Sequence, residues 1–147
     1  MTTYLDPTAG GFRESPPSAA SLATLTARSI PHTAVAVRSV TTHTANAALT
    51  AAMSGSVHTN AGATGAVTLA LPAATVGLEF FFGVRAAQAL RIDPNGTETI
   101  SLPSTGVPGA AGKYITAAAV GETVHVMCVA AGSWAVMGYT GTWTAEP

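Results

Sequence analysis

The stretch VTLALPAATVGLEFFFGVRAAQALRIDPN, residues 67–95, decides the fold. Apolar and polar side chains alternate along it twice with a period of two residues, which is typical of β-strands with one buried face. In the second run, Phe80 and Phe82 fall on one face and Phe81 falls on the other. Pro72 ends the first run because it cannot donate a hydrogen bond to a neighbouring strand. The stretch therefore predicts two strands, the second of which anchors the core.

Short runs of β-forming residues, separated by turn signals, continue on both sides of this stretch. We predict a polar connection over residues 41–50, and strands near residues 33–40, 56–60, 90–92, 98–102, 113–116, 122–129 and 134–139. The Asp-Pro-Asn-Gly turn at 93–96 predicts a hairpin between its flanking strands, and a turn around Gly132 predicts a hairpin between the last two strands. Many short strands with no sustained helical period predict an all-β fold, a single compact β-sandwich or barrel-like domain over residues 41–147.

Residues 1 to about 30 lack a sustained period and carry Asp-Pro, Gly-Gly and Ser-Pro-Pro turn signals, and we predict an extended N-terminal arm over residues 1–40. Within it we predict a possible short helix at 18–28 and a strand near 33–40. A fully extended segment of this length spans on the order of 130 Å, enough to reach a neighbouring subunit. A frayed terminus over residues 1–15 is the alternative.

The composition excludes several classes of protein. Charged residues make up 9% of the 147 residues, against about 25% in an average globular protein. The basic residues are scattered and the net charge is −1, so we expect no binding of nucleic acid. No run approaches about 18 consecutive apolar residues, so we expect no membrane span. No secretory signal is visible, which predicts folding in the cytoplasm. The weakly charged surface favours coverage by neighbouring subunits, and a soluble monomer is the alternative.

No group of residues in the sequence indicates catalysis, a cofactor or a metal, so we predict a non-enzymatic protein with none of these. His32, His43, His58 and His125 lack the spacing of zinc ligands and are expected to be structural. Cys128 is the single cysteine, which excludes an internal disulfide. Its strand-like context predicts a buried, inert thiol.

Two weaker alternatives concern carboxylates and aromatic rings. Asp93 and Glu98 flank one turn, where they could form a calcium site or a glycosidase pair. Trp134, Tyr139 and Trp143 could stack on a sugar, although the sequence favours packing in the core or at an interface.

Several short sequence segments resemble a β-module found in structural proteins of tailed bacteriophages. They lie at residues 49–55, 59–69, 71–74, 86–96 and 138–143, and the resemblance covers about two thirds of the chain. It does not include the N-terminal arm. A short chain with one module and an arm leaves no room for a fibre shaft, which favours a head decoration (cement) protein.

The resemblance implies a non-enzymatic protein on the outer capsid surface of the virion, made in the host cytoplasm. It implies that the major capsid protein and further copies of the chain, arranged as a homotrimer, are its partners. The alternative is a host-surface glycan-binding module of a short head fibre or a tail fibre. We predict a subunit or capsid interface that includes Phe81, Met127, Val129 and Trp143.

Overall fold

The computed structural model describes residues 3–6, 11–14 and 37–147. The chain divides into two compact units, Met1–Val37 and Arg38–Pro147.

In the first unit, strand β1 (Thr3–Asp6) pairs antiparallel with strand β2 (Gly11–Glu14). The helix predicted at 18–28 lies outside the described residues. So does most of the strand predicted near 33–40, of which residues 37–39 are described and are not a strand.

The second unit is built from short strands and one turn of 3-10 helix, η1 (Ala51–Met53). Glycine, proline and asparagine break the β-forming runs every few residues, so most strands have five residues or fewer, and the two longest have eight. The strands are β3 (Val40–Thr42), β4 (Ala47–Ala48), β5 (Val57–Thr59), β6 (Val67–Ala70), β7 (Glu79–Gly83), β8 (Leu90–Asp93), β9 (Thr99–Ile100), β10 (Ile115–Ala117), β11 (Thr123–Ala130), β12 (Ser133–Thr140) and β13 (Thr144–Ala145). None of the helical segments in the described part of the chain could cross a membrane.

The strands form two mixed sheets that pack together. The five-stranded sheet has the order β13-β10-β8-β6-β4, and the six-stranded sheet has the order β3-β5-β7-β11-β12-β9. From β3 to β11, each successive strand joins the other sheet. The neighbours β3 and β5, β5 and β7, β4 and β6, and β6 and β8 are therefore parallel. The prediction of an all-β domain of β-sandwich type is confirmed.

The core lies between the sheets and is formed by the apolar side of each alternating strand. Phe80, Phe82 and Trp134 are its largest fully buried side chains, and the rings of Phe80 and Trp134 lie 5.9 Å apart. Burying one such side chain stabilises the fold by about 1.5–3 kcal/mol. The alternation seen in residues 67–95 thus predicts correctly which side chains enter the core.

One predicted hairpin is confirmed and the other is wrong. β11 and β12 pair antiparallel around Gly132, as predicted. The turn at 93–96 forms, with the Glu98 N–H donating to the Asn95 carbonyl at 3.0 Å. The strands on either side of it do not pair, because β8 lies between β6 and β10 while β9 pairs parallel with β12 in the other sheet.

Strand boundaries also differ near the ends of the domain. Residues 41–50, predicted to be a polar connection, contain most of β3 and all of β4. The strand predicted at 113–116 begins later, at Ile115, and β13 was not predicted. These strands have two or three residues each, too few to show a period.

Candidate functional site

The face of the six-stranded sheet that points away from the core forms the candidate interaction surface, called the outer face below. Strand register aligns one row of residues across it, because each is the direct partner of the next on the neighbouring strand. The row runs Val40, Val57, Phe81, His125 and Gly138.

An open groove of about 650 Å³ follows this face. Gly83 and Gly138 have no side chain, which leaves a depression in the sheet surface between the larger residues on either side. Val40, Val57 and Phe81 give the groove a largely apolar lining. An apolar depression on a sheet face is a typical contact site for another molecule.

Phe81 is held between two planar groups. The imidazole of His125 is stacked on its ring with 4.0 Å between centroids and 13° between planes. The guanidinium carbon of Arg38 lies 3.9 Å from the centroid of the same ring. His125 comes from β11 and Arg38 from the segment before β3, on opposite sides of β7. A cation over an aromatic face is attracted by the ring quadrupole.

Glu79 links these two groups electrostatically. Its Oε2 lies 2.9 Å from Nε2 of His125, and its Oε1 lies 3.7 Å from a guanidinium nitrogen of Arg38. Arg38 also donates to the carbonyl of Gly55 at 3.1 Å. The four side chains, called the Phe81 cluster below, are therefore joined to one another by stacking and polar contacts.

The structure places three of the four predicted interface residues on the outer face. Phe81, Met127 and Val129 all point away from the core, and the Val129 side chain is 50% exposed. Trp143 is only 3% exposed and belongs to the core. Its Nε1–H donates to the Thr123 carbonyl at 3.0 Å. Trp143 therefore presents no surface to a partner in this conformation.

The three aromatic residues considered for sugar stacking differ in their exposure to solvent. Trp134 is fully buried, and its Nε1–H donates to the Glu98 carboxylate at 3.2 Å. Trp143 is buried as described above. Tyr139, which is 46% exposed, is the one accessible member of the trio, but it pairs with the buried Val124, so its side chain points to the opposite side of the sheet from the Phe81 row.

The carboxylates of Asp93 and Glu98 have different neighbours. The Glu98 carboxylate accepts the Trp134 hydrogen bond and a second one from the Ala74 N–H at 2.8 Å. Burial raises the pKa of Asp93, and the charge of Glu146 raises it further. Within the described residues, no three His, Cys, Asp or Glu side chains converge in a way that could hold a metal ion.

A chain of hydrogen bonds joins the buried Ser56 and His58 to the partly exposed His43. His58 Nε2 lies 2.8 Å from Ser56 Oγ, and His58 Nδ1 lies 3.0 Å from His43 Nε2. Ser56 Oγ donates its single proton to the carbonyl of Met53. It can therefore only accept from His58, which places the proton of neutral His58 on Nε2. His58 Nδ1 is then an acceptor, and His43 donates to it from Nε2.

This arrangement differs from a catalytic Ser-His pair. A histidine that activates a serine must accept the hydroxyl proton, whereas His58 donates to Ser56. Burial lowers the pKa of His58 to about 4, with a smaller effect from the charge of His43. The contact between His43 and His58 was not predicted from the sequence, because the two histidines are 15 residues apart and meet only through the β3–β5 pairing.

No protein-family model matches the chain, and no curated protein matches it.

Proposed function

We propose that the chain is a non-enzymatic decoration (cement) protein of a tailed-bacteriophage head. It binds the outer surface of the shell, bridges adjacent copies of the major capsid protein and assembles as a homotrimer. The groove on the outer face is the observation that carries this proposal, because it is a preformed apolar contact site in a chain with 9% charged residues.

The groove and its surroundings expose apolar side chains, which favours contact with a protein surface over contact with water. Val40 is 67% exposed at its edge, and Met127 and Val129 extend the apolar surface along β11. Exposed apolar area of this kind is stabilised when another surface covers it. By mass action, a protein that binds only the assembled shell stabilises that shell.

The Phe81 cluster supports the same proposal through its rigidity. Ordering a flexible side chain at an interface costs about 0.5–1.5 kcal/mol, and the stacked Phe81 ring is already ordered. A preorganised aromatic residue at the centre of a patch is typical of the side chains that dominate binding energy.

A second candidate is a host-surface glycan-binding module. One observation favours it, the exposure of Tyr139, at 46%. Aromatic rings of glycan sites stack on sugar faces, and Tyr139 is the member of the predicted trio that remains available. Loss of glycan-array binding in a Tyr139→Ala variant, with retained attachment to heads, would favour this candidate.

Immunogold electron microscopy on purified virions, from a lysate that contains the protein, tests the proposed location. We expect dense label over the whole head. Label confined to the tail tip would overturn the proposal and favour the glycan-binding module.

Filling the groove tests the proposed surface. Gly138 has a negative φ and nothing within 4 Å of an added Cβ, so Gly138→Val should fold normally while narrowing the groove. Gly65→Val is the matched control, because Gly65 is equally unobstructed but does not line the groove. We expect Gly138→Val to bind decoration-free heads roughly tenfold more weakly than the control. Equal occupancy by both variants would show that the groove is not the contact surface.

A further inference from the structure

His43 and His58 fasten an edge strand to its sheet. β3 is the outermost strand beside β5, and within residues 37–147 it has no neighbour on its other side. Two backbone hydrogen bonds flank the pairing, from the Val57 N–H to the Ser39 carbonyl and from the His43 N–H to the Thr59 carbonyl, both at 2.8 Å. The bond between the two imidazoles adds a side-chain connection at the same place.

The proton positions described above determine how this connection responds to acid. His43 donates from Nε2, and its other ring nitrogen is not used in that bond. A first proton on His43 therefore leaves the bond to His58 intact and makes it charge-assisted. A second proton, on His58 Nδ1, would set two N–H groups and two positive charges against each other at 3.0 Å.

We propose that the His43–His58 pair is a one-proton latch. It holds β3 on β5 with either no proton or one proton added to the neutral pair, and it releases β3 when the second proton binds. The proposal concerns the free domain and does not rest on the proposed function.

Burial fixes the order in which the two imidazoles take up protons. His58 is 0% exposed and lies beside the rings of Phe80 and Phe82, with centroids 6.0 and 5.8 Å away. Ser56, its partner on the β5 side, is uncharged, and His43 is the titratable group that faces it among the described residues. Burial also lowers the pKa of His43, but this ring is partly exposed, so it accepts the first proton.

Release of β3 would change the outer face. Val40, in β3, forms part of the groove lining, and Arg38, just before it, stacks on Phe81. Loss of β3 would remove both from the surface. Protonation of the His43–His58 pair would therefore change the shape of the groove.

Nuclear magnetic resonance of the full ¹⁵N-labelled chain, titrated from about pH 8 to about pH 3, tests the latch. We expect His58 to keep its Nε2–H tautomer while His43 titrates. When His58 then titrates, the amides of His43 and Val57 should lose roughly tenfold of their protection from hydrogen exchange. The amide of Leu49, which donates to the Ala70 carbonyl in the other sheet, should keep its protection.

Two variants and a control separate the steps. His43→Gln cannot titrate, and its amide can donate to neutral His58 or turn its oxygen to accept from protonated His58, so one titration step should remain without release of β3. His58→Phe should abolish the acid-dependent release, since a phenyl ring cannot titrate and makes no bond to His43. His125→Gln removes an imidazole elsewhere and should leave both steps unchanged.

The proposal is overturned if His58 titrates before His43 or adopts the Nδ1–H tautomer at neutral pH. It is also overturned if the amides of β3 and β5 keep their protection after His58 has titrated. Should His58→Phe fail to fold, the His43→Gln titration decides between the outcomes.

Discussion

Gly141 lies directly against the side chain of Glu122, with no room between them for a β-carbon. The Glu122 carboxylate accepts hydrogen bonds from three backbone N–H groups. Those of Ala119 and Thr142 lie at 2.8 and 2.6 Å, and that of Ala118 lies at 3.1 Å. Glu122 thereby ties the turn before β11 to the turn after β12.

We predict that Gly141→Ala destabilises the domain far more than Gly121→Ala does. Both glycines have positive φ, +81° and +98°, so alanine costs each about 1–2 kcal/mol. Only at Gly141 would the new methyl group also collide with Glu122, adding about 1–3 kcal/mol. Chemical denaturation of both variants measures the difference. Equal losses of stability would contradict the close contact.

The carboxylate of Glu122 should make the free energy of unfolding depend on pH. Its hydrogen bonds with backbone N–H groups, above all that of Thr142, lower its pKa below the ordinary value of 4.5. The ionised form is therefore favoured in the folded state. Its stabilising effect is present above pH 4.5 and is lost as the pH falls through the lowered folded-state pKa.

Glu122→Gln is the matched change, because it keeps the shape and removes the charge. The variant should be less stable than the natural chain at neutral pH, and the gap in unfolding free energy should narrow below about pH 4.5. Thermal unfolding followed across pH in the His58→Phe background removes the contribution of the latch. A gap that stays constant with pH would refute the prediction.

Asn60 should be the most costly asparagine to replace among the described residues. Its fully buried side chain accepts from the N–H groups of Arg85 and Ala86 and donates to the carbonyls of Ala86 and Gln88. Asn60→Ala would remove four hydrogen bonds from part-buried backbone groups at residues 85–88, at a cost of about 3 kcal/mol.

Asn46→Ala is its control. Asn46 is exposed and accepts one hydrogen bond, from the Thr68 N–H, so its loss should cost about 1 kcal/mol or less. Denaturant midpoints of the two variants are compared directly. Similar midpoints would mean that the residues 85–88 are not held by Asn60.

Cys128 should resist thiol reagents in the folded protein. The side chain is buried, and burial raises the pKa of the thiol, which lowers the thiolate fraction that reacts. At about pH 8, an aromatic disulfide reagent should label Cys128 only after denaturant is added. Rapid labelling of the native chain would contradict the burial.

Deletions should place the start of the β-domain between residues 37 and 40. Removing residues 1–36 leaves Arg38 and β3 in place, so the remaining unit should unfold at nearly the same temperature. Removing residues 1–42 also deletes β3 and the guanidinium stacked on Phe81, and should lower the melting temperature by several degrees. Equal melting temperatures would show that β3 adds no stability. Weaker binding to heads by the shorter deletion would support an arm that contacts the shell.

Alternation was the most informative signal in the sequence. Along β7 and β11 it identifies the residues that enter the core, because successive side chains of a strand must point to opposite faces. It also places Phe81, Met127 and Val129 on the outer face. Alternation did not predict that Trp143 is buried, because β13, which follows Trp143, has only two residues and is too short to show a period.

Strand partners could not be read from local signals. The Asp-Pro-Asn-Gly turn forms, yet its strands separate because Leu90 and Ile92 pair with Val67 and Leu69 of β6 in a parallel register. A turn signal fixes the conformation of a few residues, whereas pairing depends on distant ones. The meeting of His43 and His58 was missed for the same reason.

The alternation of successive strands between the two sheets has a consequence for how the protein is made. Because β3, β5 and β7 belong to one sheet while β4, β6 and β8 belong to the other, neither sheet can be completed from one continuous part of the chain. A chain still emerging from the ribosome lacks β11, the strand that lies between β7 and β12, until most of it has been synthesised. The domain is therefore expected to fold after synthesis, in a single cooperative step, and to be most vulnerable to proteases before that step.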